Sequence, residues 1–144
     1  MTRYSHESER GSIPVETVIV IPVLALFMLL LILGGRVAIA RTAVESAAAD
    51  AARSASIART GGEARTFATR TAASSLTNQG VPCSRTNVAV DTAGFGTPVG
   101  APGWVAVTVT CDVDVSGLAG LPGLPSFGVD ATMTSPLDTF RGRR

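Results

Sequence analysis

The chain contains no lysine: its 12 basic residues are all arginine, set against 11 acidic ones, for a formal net charge of +1. With so even a balance, and no basic stripe interleaved with aromatics, nothing marks a nucleic-acid partner. Histidine is nearly absent too. His6 stands alone in the polar N-terminal tail, so no Ser-His or Cys-His nucleophile can be assembled in the rest of the chain. Two cysteines, Cys83 and Cys111, lack the further ligands a metal site requires. No glycine loop has either standard phosphate-cradling spacing. Asp112 and Asp114 are alternate residues of one segment and read as the solvated face of a strand, not as a paired acid and base. These absences leave no constellation for an intrinsic enzyme activity, no cofactor and no small-molecule substrate.

What the sequence has instead is a long apolar run. Residues 17–35 carry no charge, and 18–33 are almost wholly Val, Ile, Leu, Ala, Phe and Met. At a helical rise they extend roughly 28 Å, close to the hydrocarbon thickness of a bilayer. A membrane-spanning helix follows, with Pro22 inside it as membrane helices tolerate. One carboxylate, Glu16, lies just inside the start of this segment. A charge at the bilayer centre costs about 2.5–3.5 kcal/mol and less near the interface, so such residues usually mark function. Two other readings compete: a secretory signal cut after Ala40, and a plain anchor in which Glu16 is incidental. Arg3 and Arg10 before the run balance Arg36 and Arg41 after it, so the positive-inside count does not set the orientation. The cysteines and the strand-rich C-terminal half favour an extracytoplasmic location for that half, where a Cys83–Cys111 disulfide is the leading reading and two separate buried thiols the other.

Beyond the run, residues 36–58 are alanine-rich and free of proline and of further glycine, which favours a helical stem. Val37, Val44, Ala51 and Ala58 recur every heptad, with Ala40, Ala47 and Ser54 between them, forming a narrow seam for close packing. On the polar side Arg41 with Glu45 and Asp50 with Arg53 are spaced to pair. Thr60 and Glu63 form a capping box for a second helix that ends near Leu76 and buries Ala64, Phe67, Ala68, Thr71 and Ala72. After Cys83 the period becomes two. Val88 and Val90 mark a first strand, and Val105, Val107, Val109, Cys111, Val113 and Val115 mark the apolar face of a second. A Gly/Pro/Leu loop over 117–125 leads to a third strand with Phe127, Val129, Ala131 and Met133 on one side. The expected fold is α+β: a long N-terminal transmembrane and stem helix, a second short helix, and a small three-stranded antiparallel sheet packed on the stem. Arg141, Arg143 and Arg144 close the chain as a solvated basic tail.

The junction of tail and apolar run, Gly11-Ser12-Ile13-Pro14-Val15-Glu16, resembles a type IV prepilin signal. With Pro22, the Gly34-Gly35 ending and the alanine-rich continuation to Arg53, residues 10–55 are similar to the TadE-like family of tight-adherence (Flp) pilus assembly proteins, in its actinobacterial form. Thr17 stands where an aromatic is common in that family, and Pro14 where a smaller residue is. The resemblance implies a pilin-like fold, cleavage after Gly11 by a prepilin peptidase, and Ser12 as the new N-terminus. Glu16 would pair with that amine, or a neighbouring subunit's, and set the register of stacked subunits. It divides the chain into a cytoplasmic leader (1–11), a transmembrane helix (12–35), an extracytoplasmic helical stem with the second helix (36–78) and a disulfide-bearing β domain (79–144). The implied partners are the lipid bilayer, the peptidase, sister subunits and the pilus machinery, at the bacterial cytoplasmic membrane. The alternative is an unprocessed single-span anchor whose outer domain binds a ligand or partner.

Overall fold

The computed structural model describes residues 13–113 and 126–140, with side chains in the first helix from Val18 onward. Gly11, Ser12, Asp114, Val115, the loop expected over 117–125 and the arginine tail lie outside the described residues. The order of elements is α1 (Ile13–Ser56), α2 (Gly61–Asn78), β1 (Cys83–Asp91), a short 3-10 helix (Ala93–Gly96), β2 (Gly103–Val113) and β3 (Phe127–Leu137). This is an α+β chain. It divides into two compact units, Met1–Arg36 and Val37–Arg144, and α1 contributes to both.

In the first unit α1 is apolar on all sides. Among the described residues it is the one helix long and apolar enough to cross a bilayer, with a mean hydropathy of 2.9 in its most apolar window. No residue of that window is buried, which distinguishes it from the core helix of a soluble domain. Pro22 lies within α1, and the helical assignment continues through it.

In the second unit the same helix changes character. Ala40, Ala43, Val44, Ala47, Ala48, Ala51, Ala52 and Ala55 are buried, followed by Ala58 just beyond its end. The buried stripe is wider than the heptad seam: Ala43, Ala48, Ala52 and Ala55 join it, whereas Val37 and Ser54 are only half-buried. Alanine loses no side-chain entropy in a helix and lets neighbouring backbones come close, so a broad face of methyls suits close packing.

Helix α2 runs back alongside α1. Asp50 accepts from the Ser75 hydroxyl at 3.1 Å, instead of pairing with Arg53, and the Gln79 amide donates to the Ala43 carbonyl at 3.4 Å. Thr60 caps α2, accepting from the Glu63 N–H at 3.1 Å. The Glu63 carboxylate accepts from the Arg59 N–H at 3.0 Å, one residue beyond the N-cap N–H that closes a standard capping box. At the other end Gly80 takes a positive φ of 66°, and Val81 and Gly80 donate back to the Leu76 and Thr77 carbonyls. This pattern is a Schellman stop, and it occurs where the Gln-Gly-x-Pro sequence calls for one. The buried residues of α2 are Ala64, Ala68, Ala72 and Leu76; Phe67 is 39% exposed and Thr71 half-buried, so the phenyl ring is not part of the core stripe.

The strands form an antiparallel meander in the order β1-β2-β3. Strand β2 is central, and its alternate residues Val105, Val107, Val109 and Cys111 are fully buried. Val129, Ala131 and Leu137 of β3 complete that inner face, while Met133 is half-buried and Phe127 exposed at the strand's start. Helix α2 lies against β1, and the 3-10 helix against β2. The outer face presents Ala106, Thr108, Thr110 and Asp112 of β2, flanked in register by Asp91, Ala89, Asn87 and Arg85 of β1 and by Thr134, Thr132, Asp130 and Gly128 of β3.

Candidate functional site

Helix formation begins at Ile13, so Pro14 and Glu16 both lie in the first turn of α1. The first backbone N–H groups of a helix have no intrahelical partner, and a proline there sacrifices no hydrogen bond. Gly11 and Ser12, the residues expected at the cut, lie outside the described residues. From Val18 to Ile32 every Val, Leu, Ile, Phe and Met is exposed, in keeping with a helix whose solvent is lipid.

The second unit contains the disulfide. Cys83 and Cys111 are bonded, with Cα atoms 5.4 Å apart, and the bond ties the start of β1 to the buried face of β2. In the ladder Cys83 lies opposite Val113 and Thr86 opposite Cys111, with a register shift between Cys83 and Arg85. That irregularity turns Ser84 so that its hydroxyl donates to the Asp112 carbonyl at 2.9 Å. The Arg41–Glu45 pair forms at 3.3 Å on the surface of α1, a contact worth only about 0.3–0.5 kcal/mol.

Among the described residues no three His, Cys, Asp or Glu side chains come together as metal ligands. A groove between α1 and α2 is lined by Ser46, Asp50, Arg53, Thr71 and Ser75, but it is open to solvent and its carboxylate is already engaged by Ser75. Asp112 is half-buried on the outer face of the sheet.

Two features have little signature in the sequence. Gly94 crosses the backbone of Trp104 so closely that a side-chain carbon there would strike the Trp104 peptide group. Trp104 itself lies at the outer-face end of β2, opposite Pro136, and is 60% exposed. A Gly-Phe-Gly stretch and a lone tryptophan before an alternating strand hint at both, but neither reveals a close approach or the side on which an end residue emerges.

Comparison with known families matches residues 11–53 to the family described as TadE-like protein. The match starts at Gly11, runs through the uncharged stretch and ends in the alanine-rich part of α1, covering under a third of the chain. No curated protein and no solved structure matches it. A TadE-like match that takes in the apolar part of α1 fits a membrane protein related to tight-adherence pili. The family is one of pilus components and not of enzymes.

Proposed function

We propose that this TadE-like membrane protein is a pilin-like subunit of a Flp-type pilus, acting as a minor pilin or as an assembly component. A membrane-embedded prepilin peptidase cuts after Gly11. The apolar helix stays on the mature protein, with the leader on the cytoplasmic side and residues 37–144 outside. The observation that carries this reading is the family match, which begins at the glycine of the cut and continues through the helix. The Cys83–Cys111 disulfide supports an oxidising compartment for the second unit.

The residues suit these steps chemically. Glycine before the scissile bond presents no side chain to a narrow protease site. Cleavage leaves Ser12 with a free amine at the membrane boundary, and Glu16 stands about one helical turn further on. In a low-dielectric bundle a carboxylate paired with that amine is far cheaper than a lone one. Pairing between neighbouring subunits would fix their axial register. Mass spectrometry of the protein from its native membrane tests the reading. A mature N-terminus at Ser12 is expected; Arg41 would indicate a secretory signal, and Met1 or Thr2 an unprocessed anchor.

A further inference from the structure

The outer face of the sheet has a feature that a merely solvated strand face does not need. Trp104 is the chain's single tryptophan, and it stands 60% exposed on this face. An indole is one of the largest apolar groups a protein can bury, and an exposed one retains most of that driving force for a ligand. Its backbone is held in place from both sides, by the register with Pro136 and by the close crossing of Gly94. Along the strand from Trp104, over about 13 Å, the face becomes a flat field of short polar groups. The Thr108 and Thr132 hydroxyls lie 2.8 Å apart, so each retains hydrogen-bonding capacity for a third group. Thr110, flanked by Asn87 and Asp130, continues the field.

We propose that this face, from Trp104 to the Thr108–Thr132 pair, binds a neutral polysaccharide. A sugar ring offers an apolar face to stack on an indole and a rim of hydroxyls to exchange bonds with threonine, asparagine and carboxylate groups. Charge decides against other extended ligands. Among its described residues the face carries Asp91, Asp112 and Asp130 against Arg85, a negative balance that repels nucleic acid, acidic glycans and anionic lipid surfaces. Composition decides against a protein partner, because protein interfaces centre on a desolvated apolar core. Here the described residues beyond Trp104 and Pro136 are Ala, Thr, Asn, Asp, Gly and Arg. The surface is independent of the membrane end, so the proposal stands or falls separately from processing after Gly11.

Because Trp104 is the only tryptophan, its emission reports directly on the site. Full-length protein in nanodiscs is titrated with cellotetraose, chitotetraose and maltotetraose, with a heparin oligosaccharide as the acidic comparison. A saturable shift of emission with at least one neutral oligosaccharide, and none with heparin, is expected. On beads of the matching polysaccharide, Trp104→Ala should weaken retention by about tenfold or more, Trp104→Tyr should restore most of it, and Phe67→Ala on α2 should leave it unchanged. Thr108→Val with Thr132→Val should weaken it severalfold while the Trp104 emission of the free protein stays native. The proposal is overturned if no neutral oligosaccharide shifts the emission at millimolar concentration. It is overturned equally if retention survives Trp104→Ala, or if the emission shifts with protein concentration alone, which would assign the face to a second copy of the chain.

Discussion

Gly94 and Trp104 constrain each other through backbone, not side chains. The alanine methyl of a Gly94→Ala variant would meet the Trp104 peptide group, which cannot retreat without giving up its ladder position opposite Pro136. The expected cost is about 1–3 kcal/mol, as for other overpacked sites. Thermal unfolding followed by circular dichroism should show it as a lowered midpoint. Gly96→Ala, only two residues away, places its methyl in open space and should change little. At this scale the sequence was partly legible. The stop at Gly80 and the cap at Thr60 could be read because single residues carry them, through a positive φ and a side-chain acceptor. The exposure of Phe67 could not. Hydrophobicity ranks phenylalanine above alanine for burial, but where two helices approach closely, available volume decides, and Ala64, Ala68 and Ala72 take the inner positions.

The elements differ in how much they tolerate. The α1 face in the second unit is almost entirely alanine, with Ala47, Ala48, Ala51 and Ala55 fully buried. A larger side chain has no room to enter. Ala48→Leu should therefore destabilise the unit by about 1–3 kcal/mol, whereas Ala38→Leu, at an exposed position of the same helix, should be nearly neutral. Chemical denaturation of the two variants side by side distinguishes them. The width of this face was not legible, because a run of alanines offers no contrast between inner and outer positions and a heptad can be drawn through it in more than one way. The strands were legible for the opposite reason. In β2 valine and cysteine alternate with alanine, threonine and aspartate, so each residue declares its side. The disulfide adds stability of a different kind. Reduction, or Cys83→Ser with Cys111→Ser, should cost about 3.5 kcal/mol for the loop it closes, measured as a fall in denaturant midpoint.

At the scale of the whole molecule, the two units differ in the solvent they suit: the first exposes apolar side chains throughout its described part, and the second buries them. The apolar helix is long and apolar enough to cross a bilayer, and Glu16 lies in its first turn. On the proposed pairing with the Ser12 amine, Glu16→Gln should leave membrane insertion and cleavage intact but sharply reduce the pilus-associated fraction recovered by shearing. Wild-type levels in that fraction would remove the registration role. The membrane-helix junction was legible as a motif, since glycine, glutamate and an apolar run occur at fixed spacing, and the family match begins at that glycine. The outer face of the sheet was not, because a tryptophan at a strand's end can emerge on either side until the register is known.

The crosslink has one further consequence, which concerns load. A chain anchored by one end and held at the other through its partners is pulled along its length. The Cys83–Cys111 bond spans 28 residues of sequence, so in the oxidised protein roughly 95 Å of contour cannot be drawn out however far the sheet is opened. A tug that unravels β1 from β2 would bypass that loop, so the fully extended oxidised chain would stay shorter than the reduced one by the length of the loop.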